Sequence, residues 1–202
     1  MRSKFFSPAA ITVVLFAFST GAQVSLQGGG SIGVGFFKEE ISLFGVNSVT
    51  DTRTGFTGGF AMDAIFSEYL SLREGIEYSG RGGSAGALAD QLNYVALPIA
   101  VKLSYPLSSR IHPYLLGGGN FGFLINARLE NGSAATDEST FYNAADFGIY
   151  CGAGADFPMT HSMVPFVEFS YLLGLSNTSA LSSYTQTNRG FQINAGLKVK
   201  IK

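Results

Sequence analysis

The stretch RGFQINAGLKVKIK, residues 189–202, decides the fold. From Phe191 onward the odd positions Phe191, Ile193, Ala195, Leu197, Val199 and Ile201 are apolar. The even positions Gln192, Asn194, Gly196, Lys198, Lys200 and Lys202 are polar, charged or glycine. Successive side chains of a strand point to opposite faces, so this segment has one apolar face and one polar face. The setting of those two faces has to be read from the rest of the chain.

The same alternation recurs upstream over residues 31–37, 55–66, 70–79, 92–105, 113–127, 147–157 and 164–175, which makes eight strands in all. Three links between them are short, near residues 67–69, 106–111 and 158–162. Four are long and rich in Gly, Ser and Asn, over residues 38–54, 80–91, 128–145 and 176–189. Long connections at one end and short ones at the other are the pattern of an up-and-down transmembrane β-barrel, with the short turns periplasmic and the long loops extracellular. A strand of ~10 residues, rising ~3.4 Å per residue and tilted ~45°, spans about 24 Å, which matches an apolar band of ~25 Å. The expected fold is therefore an all-β, eight-stranded antiparallel barrel.

Composition agrees. Charged residues are 13% of the 202-residue chain and the net charge is -1, so no basic field points to nucleic acid. Arg2 and Lys4 precede an apolar stretch, residues 9–18, and Thr20-Gly21-Ala22 offers small residues for cleavage. This reads as a signal peptide over 1–22, cleaved after Ala22, with the barrel domain over 23–202. The single Cys151 cannot form an internal disulfide.

Two positions strain the scheme. Pro98 lies within a strand, where it cannot donate to the ladder, and predicts a local bulge. Glu74 falls on the apolar face, and predicts either a register slip at Gly75 or a carboxylate reaching the headgroup level.

Tyr94-Val-Ala-Leu-Pro98-Ile-Ala-Val-Lys102, followed by Pro113-Tyr114-Leu-Leu-Gly-Gly-Gly119, resembles the core of the small outer-membrane β-barrel proteins of Bacteroidetes-type bacteria, which include the PorT-like barrels. Asp146-Phe-Gly148 with Gly152-Ala-Gly154 resembles that family's sixth strand. The chain departs from the family in ending Ile201-Lys202 rather than on an aromatic residue. The resemblance implies outer-membrane localisation and a structural or accessory envelope role, with partners in secretion or surface assembly.

On the residues alone, the polar face gathers Asp63, Arg73, Glu77, Lys102, Asp156, Glu168, Lys198 and Lys200. Four acids and four bases in one lumen can satisfy one another as ion pairs, or can line a proton or ion path; the narrow bore of eight strands favours the plug. Lys102 and Lys198 are expected to pair with lumenal carboxylates. His112 and His161 fall at short turns, far from the long loops where a substrate would lie, so no Ser-His-acid site is expected and the chain reads as no enzyme. Gly117–Gly119 and Gly152–Gly154 lack the Lys-Ser/Thr of a phosphate loop and read as places of close backbone approach. Phe66, Tyr69, Tyr105, Tyr114, Phe157 and Tyr171 are candidates for interfacial girdles.

Arg128, Glu130, Asp137 and Glu138 mark one long loop as the expected contact surface. No cofactor or metal is implied, and the expected surroundings are outer-membrane lipid and other envelope proteins. The competing functions are a small-solute or ion conduit and a loop-mediated adhesin. The competing fold is a soluble ligand-binding barrel with its apolar face inward.

Overall fold

The computed structural model describes residues 24–132, 134–181 and 183–201; the expected signal segment lies outside them. Eight strands form the wall: β1 (Ser25–Leu43), β3 (Asp51–Ile65), β4 (Leu70–Arg81), β6 (Leu88–Ser104), β7 (His112–Asn131), β9 (Ala145–Asp156), β10 (Met163–Gly174) and β11 (Tyr184–Lys200). Three short strands, β2 (Val46–Val49), β5 (Gly83–Ala85) and β8 (Ala134–Asp137), extend the hairpins at one end. Each wall strand pairs antiparallel with its neighbours, and β1 pairs with both β3 and β11, so the sheet closes on itself. Closure removes the open edges that would invite pairing with other chains.

The opening segment settles which face is outside. Phe191 and Ile193 are 46% and 48% exposed, while Gln192 and Asn194 are 5% exposed. The other wall strands repeat this, with Ile32, Val34, Phe60, Val101 and Phe169 outward. The apolar face is the outer one and the polar face lines the interior, which overturns the soluble barrel with an apolar interior.

All three periplasmic turns use one device. The hydroxyl of Ser67 accepts from the N–H groups of Tyr69 and Leu70. Ser108 accepts from Arg110 and Ile111, and Thr160 from Ser162 and Met163. A hydroxyl that accepts from the amides two and three residues on holds a tight turn without a special backbone conformation.

The structure corrects three expectations. Two of the long links, 38–54 and 80–91, are largely strand and 128–145 is partly so: β1 has 19 residues and β7 has 20, and the β2 and β8 hairpins continue the wall beyond the lipid band. No register shift occurs at Pro98. The β4–β6 ladder keeps one register from Leu70↔Leu103 to Arg81↔Leu92 but skips the pairs at Gly75 and Ile76, because Pro98 has no N–H to give. The shift lies between Asn93 and Tyr94, where β7 inserts Ile125. Glu74 stays in continuous register, Met62↔Glu74, with Leu72 and Ile76 outward on either side. It therefore sits within the apolar band, neither slipped nor at its edge.

Candidate functional site

The lumen holds two tiers of ion pairs. In the periplasmic tier Asp63 is central: Arg73 donates to Oδ1 from Nε at 2.7 Å and to Oδ2 from Nη2 at 3.1 Å. Lys102 and Lys198 each donate to the same Oδ2 at 3.0 Å. Both lysines also hold Asp156, at 2.6 and 2.7 Å, and Arg73 Nη1 donates to Glu168. The Tyr114 hydroxyl donates to Glu168 at 2.9 Å, and Lys102 Nζ lies 4.2 Å from the centre of the Tyr114 ring. A Cβ on Gly154 would stand 2.5 Å from that ring, so glycine there is what admits it. These charges are nearly water-free, and each has a partner of opposite sign, the condition under which buried ions persist.

In the extracellular tier, Arg81 donates to Asp146 at 2.9 Å, to Asn120 at 2.8 Å and to Ser79 at 3.2 Å. Its guanidinium stacks 4.8 Å from the Tyr94 ring. Asp146 also accepts from Ser176 and Asn188. Between the tiers lies a cavity of about 40 Å³ lined by Glu77, Pro98, Tyr150 and Gln192, room for about one water. A vestibule of about 190 Å³ opens below the periplasmic tier, walled by Ser67, Pro106 and His112.

Not every expected residue joins these tiers. Lys200 is exposed at the periplasmic rim, where its strand runs out of wall. Glu77 points into the central cavity, and its Oε1 has no hydrogen-bond partner. Tyr114 lies in the lumen, not in a girdle, because its place in β7 faces inward. Tyr171 packs on the outer face, its ring 4.9 Å from that of Phe191. Phe66, Tyr69 and Tyr105 are exposed around the periplasmic turns, and Phe157 is half-buried beside the third.

Arg81 and Asp146 join the lumen beyond the eight residues expected there. Both continue the inward parity of their strands, 73–75–77–79–81 in β4 and 156–154–152–150–148–146 in β9, and that parity was the available signal.

The extracellular mouth is roofed by two segments tied together. Tyr142 bridges Ser179, and the Asn143 side chain donates to the carbonyls of Asn177 and Ser179. Tyr142 packs onto Leu92, Tyr94 and Ala127 beneath it. Arg128 and Glu130 lie on the β7 extension, and Arg128 pairs across to Asp137 of β8. Asp137 accepts from the Ser139 N–H at 2.9 Å, which lowers its proton affinity; Glu138 follows it in the chain. His112 opens β7 and His161 sits in the third turn, both at the periplasmic end.

The family profile for the outer membrane protein beta-barrel domain matches residues 18–180, and the chain belongs to that family. It is an outer-membrane β-barrel protein. Among solved structures it is similar to the outer membrane protein OprG of Pseudomonas aeruginosa, at 10% identity and TM-score 0.53, over 88% of this chain and 95% of that one. It is similar too to outer membrane protein AlkL, at 12% identity and TM-score 0.55, over 100% and 97%. Neisserial surface protein A shows 13% identity and TM-score 0.51, over 85% and 97%. At these identities the likeness concerns the fold. No curated protein matches the chain.

Proposed function

We propose that the protein is a non-enzymatic structural or accessory component of the envelope, working through its extracellular extensions rather than through its lumen. The observation that carries this reading is the pair of ion-paired tiers, which leaves only a water-sized cavity between them. The resemblance to PorT-like barrels favours a partner in secretion or surface assembly. The β1–β2 and β7–β8 hairpins supply a built surface for such contact, with Arg128, Glu130 and Asp137 on it.

Crosslinking in living cells, followed by co-purification, tests the reading. Reproducible capture of envelope proteins, lost when residues 128–138 are replaced by a short Gly/Ser turn, is the expected result. A barrel that comes down alone would count against it. One observation favours a second reading, a proton or ion conduit: the Glu77 carboxyl stands between the tiers with an unpartnered oxygen. Ohmic conductance across a planar bilayer would move the assignment there.

A further inference from the structure

Three acceptor oxygens are stranded just above the lipid band at the extracellular end. Glu39 and Asn188 face each other across the β1–β11 pair, and both are fully buried. Directly opposed residues of an antiparallel pair hold their Cβ atoms ~4.5–5.5 Å apart. Neither carboxylate oxygen of Glu39 has a hydrogen-bond partner, and neither does Oδ1 of Asn188. The amide of Asn188 is committed elsewhere, to Asp146 at 3.2 Å, so Oδ1 is fixed as an acceptor. A second carboxyl, Asp90 of β6, and the Gln186 side chain of β11, itself 2% exposed, approach Glu39 within reach of weak hydrogen bonding but close no strong bond to it. The outward side chains Lys38 and Arg189 mark the end of the apolar band at this level, so the cluster lies outside the membrane span.

The charge balance at this place is negative. Arg53 is the nearest cation, and its Nη1 leans toward the carbonyl of Arg81; Glu138 adds a further negative charge beside Asp90. Tyr142 closes the cluster from above. Burial, reinforced by Asp90, pushes the Glu39 carboxyl up to about 8. A buried acceptor left without a donor costs free energy, and several converging on one point are relieved together by one cation.

We propose that Glu39, Asp90, Gln186 and Asn188 form a binding site for a divalent, oxygen-ligated cation at the extracellular mouth. Glu39 and Asp90 provide charge, the two amides provide carbonyl oxygens, and water completes the shell, as hard cations accept. Asp90, half-buried, is the way in from the surface. The ligands come from β1, β6 and β11, so the ion ties the closure seam of the barrel to the strand across the lumen.

The test is calorimetric titration of the full chain, folded in detergent micelles, with calcium chloride and with magnesium chloride separately, at about pH 8, where metal competes best with protons. Saturable uptake of one ion per chain is expected, with a dissociation constant on the order of 10⁻⁴–10⁻³ M, as in other extracellular calcium sites. Glu39→Gln should weaken uptake at least ~10-fold, and Gln186→Glu should tighten it. Asp90→Asn, at the half-exposed rim, gives the same readout if Glu39→Gln fails to fold. No saturable uptake of either ion, or uptake by folded Glu39→Gln equal to wild type, would overturn the proposal. So would a heat signal accounted for wholly by a proton shared between Glu39 and Asp90.

Discussion

Asp63 Oδ2 accepts from Arg73, Lys102 and Lys198, so one oxygen gathers charge from β4, β6 and β11. Asp63→Asn leaves three buried cations facing only Asp156 and Glu168. We expect a loss of ~3–5 kcal/mol in urea unfolding from micelles, the usual cost of stranding buried charge, and a milder loss for Asp63→Asn combined with Lys198→Met. Glu74 gives the opposite expectation. Its carboxyl occupies the outward series Leu72–Glu74–Ile76, and Glu74→Leu should raise stability by ~1–2 kcal/mol, since acids on the lipid face cost somewhat less than the ~2–4 kcal/mol of Lys or Arg.

Glu39 couples folding to proton binding. Its folded pKa, about 8, lies above its ordinary 4.5. Between those values the folded chain holds a proton that the unfolded chain has released. Stability contributed by Glu39 is thus complete below 4.5, falls as pH rises, and is gone above about 8. Unfolding midpoints measured over that window without divalent ions should decline, and Glu39→Gln should flatten the decline. Lys102 and Lys198 were legible as partners of lumenal acids from alternation alone. Arg81 and Asp146 were not, because the polar composition around them reads as loop, and composition hides parity.

At the scale of elements, the hydroxyl-held turns were within reach of sequence: Ser67-Glu-Tyr-Leu70, Ser108-Ser-Arg-Ile111 and Thr160-His-Ser-Met163 share Ser or Thr three residues before an aliphatic residue. Thr160→Ala, which removes two accepted hydrogen bonds, should cost ~1–2 kcal/mol in the same unfolding assay, while Thr160→Ser should cost little. The bulge was harder to see. Inserting Ile125 reverses the parity of β7, so Ala127 turns inward and Arg128 outward. Without it, Arg128 would point into the lumen. The only trace in the sequence is the adjacent apolar pair Leu124-Ile125, which a strand with both faces occupied can also carry. Pro98 is more conspicuous, yet proline announces a missing donor and not whether the register slips or merely skips.

For the whole molecule, fold class followed from eight alternating segments and unequal links, because those properties are local and repeat. Partners did not, because recognition rests on surfaces whose residues obey no period. The two tiers act in series, which makes a specific prediction for bilayer recordings. Variants that remove one ion pair from a single tier, Arg81→Ala with Asp146→Ala or Lys102→Ala with Asp156→Ala, should remain closed. Only the combination should conduct, provided heat-modifiable migration shows it folded. Conduction by either pair alone would mean that one tier never sealed.

The periplasmic tier has a further consequence, for how the sheet becomes a tube. The first half of the chain brings one acid and two bases to it, Asp63, Arg73 and Lys102. The second half brings two acids and one base, Asp156, Glu168 and Lys198. An unrolled sheet therefore carries opposite charge on its two wings, along the side that must become concave. Attraction between the wings grows as water leaves the space between them. The pull bends the sheet in the direction that brings its first and last strands together.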